Sequence, residues 1–142
     1  MDECIFCKII EGKEKARKLY EDEWTISILD IAQVTFDNGS PIPGRSLIIP
    51  KRHVAWFYDL EDKEAGQLFI AAKIVAGKLK KAFNPDFVSM FIHGHQIAHA
   101  HIILQPSFKG DAVEGMFSSM RSSFKLATEE ALNDIARKIQ EI

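Results

Sequence analysis

Hydrophobic and polar positions alternate with two different periods along this chain, and the change of period marks out the elements. Between residues 62 and 83, Leu68, Ala71, Ala72, Val75, Leu79, Ala82 and Phe83 recur at three and four residues. That spacing places them on one face and predicts a helix over Asp62–Phe83. Lys73, Lys78, Lys80 and Lys81 read as its solvated face, and Asn84-Pro85-Asp86 ends it, since proline cannot continue a helix. Thr25–Leu29 is a short β-type run after the charged stretch Tyr20–Glu23. Ser46-Leu47-Ile48-Ile49 reads as a buried strand stopped by Pro50. Phe87–Ile92 and Ile97–Leu104 read as two further strands. The tight connection His93-Gly94-His95-Gln96 would make them a hairpin.

Gln33–Gly44 carries the turn signals Asn38-Gly39-Ser40-Pro41 and Pro43-Gly44 and reads as loop. Ser107–Lys125, rich in Ser, Gly and Phe, reads as irregular. Thr128 is a fitting N-cap, with Glu129 and Glu130 where the helix dipole favours acids. Leu132, Ile135, Ala136, Ile139 and Ile142 then line one face of a closing helix. Short links between strands, and no strand–helix–strand alternation, predict an α+β fold with an antiparallel sheet. The length, 142 residues, fits one domain over 1–142.

Composition narrows the function classes. Hydrophobic residues make up 46% and charged residues 27%, ordinary globular usage that excludes a disordered chain. A net charge of −2 without basic blocks leaves no nucleic-acid footprint. No apolar run approaches the roughly 20 residues of a membrane span. Two cysteines, Cys4 and Cys7, are too few for a disulfide framework, which points to the cytoplasm or nucleus. The acidic start Met1-Asp2-Glu3 is unlike a secretory signal. Their C-x-x-C spacing has three readings: half a set of zinc ligands, a redox pair, or two small buried hydrophobes.

Four of the five histidines, His93, His95, His99 and His101, fall within nine positions. On a strand, His99, His101 and Ile103 share one face, with the imidazoles about 7 Å apart, while Ala100, Ile102 and Leu104 share the other. Such a pair suits a metal, or a nucleophile with a neighbour that fixes its tautomer. A pair of satisfied surface histidines is the plainer alternative.

These residues carry a resemblance. The stretch Gly94–Pro106, GHQIAHAHIILQP, resembles the signature of the histidine triad (HIT) family, G-Q-x-V-x-H-x-H-x-H-x-x-P. Cys4-Ile5-Phe6-Cys7-Lys8-Ile9-Ile10 is similar to the family's opening. Tyr20–Glu23 and Ile28–Ile31 are similar to its next segments, and Gly44–His53 to its G-H-x-L-x-x-P-K-x-H stretch. The resemblance implies a HIT-like domain with a sheet of about five antiparallel strands and two main helices, assembled as a homodimer.

It also implies binding of a purine nucleotide, and hydrolysis or transfer of a nucleoside monophosphate through a nucleotidyl-histidine. The nucleophile falls on His101, with His99 and His95 beside it. The ribose-binding carboxylate falls on Asp30, and Ile5, Phe6, Ile9, Ile28, Leu47 and Gly94 fall on other nucleotide-contacting positions. In the branch that shares the C-x-x-C opening, the zinc ligands fall on Cys4, Cys7, His53 and His99, a closed tetrahedral set suited to a structural ion.

Four departures from the pattern stand out. Ile103 occupies the third histidine's place, which leaves a catalytically impaired nucleotide-binding module or a zinc-stabilised interaction module as the alternative function. His95 occupies the place of the signature Gln, with Gln96 one position late. The family's phosphate-side Asn has no clear counterpart, and His93 lies in that stretch. Phe36–Pro43 reads as an insertion, best taken as a surface loop.

Overall fold

The structure is a computed structural model that describes residues 3–34, 42–93 and 95–142, the side chain of Phe117 excepted. Gly94 and residues 36–41 of the expected insertion lie outside the described residues. The elements run α1 (Ile5–Ile10), β1 (Lys18–Glu21), β2 (Thr25–Leu29), β3 (Ser46–Pro50), a 3-10 turn (Phe57–Asp59), α2 (Asp62–Phe83), β4 (Phe87–Phe91), β5 (Ile102–Ser107), α3 (Ala112–Ser122) and α4 (Glu129–Gln140). The five strands form one antiparallel sheet in the order β1-β2-β3-β5-β4.

Strand alternation divides the apolar side chains between two faces. Ile48, Ile102 and Leu104 point to one side and pack on Leu68, Ala71, Ala72, Val75 and Leu79 of α2. Ile26, Ile28, Leu47, Ile49 and Ile103 point to the other side and pack on Phe6 of α1. Helix α2 has the predicted bounds. The Glu64 carboxylate accepts from the backbone N–H of Glu61 at its start, and Asn84, at φ 49°, closes it in the left-handed conformation. The cap at Thr128 also forms, its hydroxyl accepting from the Ala131 N–H.

The segment expected as a strand over Ile97–Leu104 departs from expectation. The strand is Ile102–Ser107, and the expected tight hairpin is a longer connection over residues 92–101. Residues 97–101 exchange ladder bonds for one tertiary and one local bond. The Ala100 N–H donates to the Val54 carbonyl at 2.6 Å, and the His99 N–H to Ile97 at 2.7 Å.

The two expected main helices, α2 and α4, are joined by two further ones. Helix α3 lies inside the stretch read as irregular. Asp111 caps it by accepting from the Glu114 N–H (2.8 Å) and holds Ser107 and Phe108 as well. Helix α1 and strand β1 were not expected either. The turn between β1 and β2 is tied by Asp22, which accepts from the Trp24 and Thr25 N–H groups, each at 2.8 Å.

Candidate functional site

Two constellations meet beneath α1, on the sheet face that α2 does not cover. The first is built by Cys4, Cys7, His53 and His99, whose ligand-type atoms all lie within 4.8 Å of one another. Helix α1 sets the cysteines three residues apart, on one side of its first turn. His99 is fully buried, and its Nε2–H donates to the Pro50 carbonyl at 2.8 Å. Its Nδ1 lone pair therefore faces the other three side chains: Cys4 Sγ at 3.4 Å, Cys7 Sγ at 3.7 Å and His53 Nδ1 at 3.2 Å. Cys7 Sγ lies 3.2 Å from His53 Nδ1.

A tetrahedral ion with bonds of about 2.0–2.3 Å requires ligand–ligand edges of about 3.3–3.8 Å, and the four spacings of 3.2–3.7 Å lie close to that range. Burial, with Cys4 alongside, pushes the Cys7 thiol up to about 11. A divalent cation between the four is the charge that would favour thiolates there. The donation from His99 Nε2–H to a backbone carbonyl is the outer contact that metal-bound imidazoles usually make.

The second constellation is a cavity of about 360 Å³. Ile5, Phe6, Ile9, Ile28 and Leu47 wall it, and His101, Asp30 and Ile103 also face it. His101 is buried, and its Nδ1–H donates to the His99 carbonyl at 2.8 Å. That bond fixes the tautomer and leaves the Nε2 lone pair free. Burial holds the His101 imidazole below the usual histidine range, against the opposing pull of the His99 carbonyl. Phe6 packs edge-on against His99 and His101, with centroids 5.8 and 5.1 Å away, so one ring braces both constellations.

Asp30 follows the end of β2. Its Oδ1 accepts from the Ala32 N–H at 2.9 Å, and its Oδ2 accepts from Arg45 Nε at 2.8 Å. Each oxygen retains a lone pair, so the pairing orients the carboxylate without exhausting it.

The structure thus brings together eleven of the expected site residues, and it moves one outward. His95 is exposed, with its ring 4.8 Å from His93, and does not line the cavity; His93 and Gln96 do. His93 stands 6.4 Å from His101, centroid to centroid, and its buried Nδ1 has no hydrogen-bond partner among the described residues.

Sequence reasoning missed Gln33 and Arg45. The Gln33 amide donates to the carbonyls of Asp30 (2.7 Å) and Arg45 (2.9 Å), and its oxygen accepts from the N–H groups of Gly44 (3.0 Å) and Arg45 (3.1 Å). One side chain therefore staples the end of β2 to the start of β3. Gly44, at φ +104°, leaves no room for a side chain: a Cβ would stand 2.9 Å from Leu79 Cδ2 and 3.0 Å from Pro106 Cγ. The signal for Arg45 was its place in Gly44–His53, where the family pattern has His.

A family model, the HIT domain, matches residues 11–108. The chain belongs to the HIT family. Among HIT relatives, it is 32% identical to "Protein hit" of Bacillus subtilis, over 97% of this chain and 92% of that protein. It is also 32% identical to the adenosine 5'-monophosphoramidase hnt1 of Schizosaccharomyces pombe, over 73% of this chain and 75% of that protein. A zinc-bound histidine triad family protein from Mycobacterium smegmatis superposes with a TM-score of 0.67 at 26% identity. That match covers 78% of this chain and 79% of the other. The five-stranded antiparallel sheet with flanking helices is thus the HIT fold expected from the sequence.

Proposed function

We propose that this HIT protein cleaves the phosphoryl bond of a nucleoside monophosphate conjugate, by hydrolysis or transfer, through a covalent nucleotide on His101. The observation that carries the reading is the His101 tautomer. With Nδ1–H committed to the His99 carbonyl, Nε2 is an unprotonated nitrogen at a cavity with an apolar wall and a carboxylate. The apolar wall of Ile5, Phe6, Ile9, Ile28 and Leu47 suits a purine face, and Asp30 suits the two ribose hydroxyls. The phosphoramidase relative supplies the bond type.

In the first step, Nε2 attacks phosphorus and the bond to the leaving group breaks, with a proton from solvent going to the departing nitrogen or oxygen; the proton is returned to solvent when water or another acceptor attacks. In the second, water or another acceptor attacks phosphorus and the P–Nε2 bond breaks. The nucleotide is released and the neutral imidazole returns.

Cys4, Cys7, His53 and His99 would hold a structural zinc, as the zinc-bound relative suggests. The ion would supply no chemistry to the cavity. It would fix α1, the roof of that cavity, and the backbone of His99 that orients His101. The chain also assembles as a homodimer on this reading. Leu132, Ile135 and Ile139 of α4 are 47–67% exposed in one copy, an apolar face that a second copy would cover.

The test is hydrolysis of adenosine 5'-phosphoramidate, followed as nucleotide release. The natural chain should turn over, and His101→Ala should lose about 10³-fold or more while keeping its fold. Turnover unchanged in His101→Ala would remove the nucleophile from the account. Tight nucleotide binding without turnover would mark the chain as a binding protein.

A further inference from the structure

The third position of the histidine pattern is Ile103, which has no donor for the charge that gathers on a phosphoryl group during transfer. We propose that Arg45 supplies those donors: its guanidinium, at the cavity that Ile103 also lines, binds the phosphoryl oxygens of the nucleotide. The inference rests on the functional reading above and adds a residue which that reading does not use.

The sheet register places the group. Leu47 on β3 pairs with Ile103 on β5, and Ile103 pairs on its other side with Phe91 on β4. Paired residues point to the same face, so Leu47, Ile103 and Phe91 form one row across the sheet. Arg45 precedes Leu47 by two and faces the same way. Its guanidinium is held between two anchors beside that row. Nε donates to Asp30 Oδ2 at 2.8 Å on the β2 side, while Cζ lies 5.9 Å from the Phe91 ring centroid on the β4 side. The cation therefore stands at the edge of the cavity that Ile103 also lines.

The side chain is held there rather than loose. It is 22% exposed, and Gln33 clamps its backbone on both sides of the peptide. Only Nε is used. The two terminal nitrogens, with four N–H groups, have no hydrogen-bond partner among the described residues, and Arg45 lines the same cavity as His101. A planar fork of free donors beside the nucleophile matches phosphate geometry. His93, whose buried Nδ1 lacks a partner among the described residues, lines the same cavity.

The experiment titrates adenosine and AMP separately into the natural chain, Arg45→Gln and Arg45→Lys. Arg45→Gln should weaken AMP by about 10–100-fold and adenosine by less than about threefold, since only AMP offers phosphoryl oxygens. Arg45→Lys, which keeps the charge and loses the fork, should fall between the two for AMP; it decides the matter alone if Arg45→Gln does not fold. Equal losses for both ligands would show that Arg45 merely holds Asp30, and would overturn the inference. So would AMP binding unchanged in the variants, or a natural chain that binds AMP no better than adenosine. A natural chain that binds neither would overturn the functional reading itself, and this inference with it.

Discussion

The two faces of the sheet are made of the same side chains and do different work. On one face Ile48, Ile102 and Leu104 meet a helix of 22 residues, which covers them and leaves a sealed core. On the other, Ile28, Leu47 and Ile103 meet a helix of six residues, too short to fill the space above the sheet. The space left beside it is the cavity. Isoleucine and leucine are core or ligand wall according to the length of the helix opposite, and nothing in the residue type distinguishes the two. The short helix also lacks the means to hold itself in place. Six residues are marginal as a helix, and Phe6 is its one large fully buried side chain. On the proposed reading, an ion held by the cysteine–histidine cluster at its start would supply the missing anchorage, so that one face depends on packing and the other on a metal.

Removing the metal should have the largest effect and should break the symmetry between the faces. Structural zinc sites carry about 10 kcal/mol or more of apparent binding free energy. Stripping with a strong chelator, or Cys7→Ser, should lower the melting temperature. It should also raise hydrogen exchange in α1 and residues 97–101 well before α2 and β3. Uniform exchange across both faces would show that the cluster does not hold α1. Next in size is a cavity on the sealed face. Leu68→Ala should cost about 2–5 kcal/mol in urea unfolding and leave AMP affinity unchanged, because Leu68 lies on the far side of the sheet. A parallel loss of AMP affinity would mean that the two faces are coupled.

Asp30→Ala should weaken AMP binding by about 1.5–3 kcal/mol and leave a 2′,3′-dideoxy analogue nearly unaffected. Equal losses would make Asp30 a structural partner of Arg45. The smallest effect concerns the start of α2. There, donation from Arg52 Nε and a terminal nitrogen, each at 2.7 Å, holds the Glu64 carboxyl below the usual range. A lowered folded value means that its stabilisation is complete above the unfolded pKa, about 4.3, and is lost as pH falls through the folded one. Glu64→Gln should remove about 1 kcal/mol at pH 7 and less at pH 3, read from paired urea curves. A loss independent of pH would assign the effect to packing.

Much of this was legible in the sequence because it rests on local periodicity. The 3.6-residue repeat of α2, the short β-type runs of β2 and β3, and the proline and Asn84 stops needed no tertiary information. The histidine spacing also carried through: His99 and His101 face the α1 side together although the strand begins only at Ile102. What stayed hidden depends on contacts distant in sequence. Helix α1 is too short for a repeat and takes shape against the sheet. The start of β5 was misjudged because Val54 and Pro50 capture residues 99–100, and no window along residues 97–104 contains them. Helix α3 was overlooked although Asp111 and Glu114 sit at cap spacing, because Gly, Ser and Phe around them lower the helix signal. Arg45 was missed although it stands where the family pattern has His, because its partnership with Asp30 joins two strand ends fifteen residues apart.

The central claim is that His101 carries the nucleotide covalently at the cavity which α1 roofs. Rapid acid-free quenching of the natural chain with adenosine 5'-phosphoramidate, followed by intact-protein and peptide mass spectrometry, tests it directly. The account predicts one adenylyl group per chain, confined to the peptide that contains His101, absent in His101→Ala and discharged on adding water-equilibrated buffer without substrate. An adduct on His93, His95 or His99 in place of His101, or turnover with no adduct at any quench time, would contradict it.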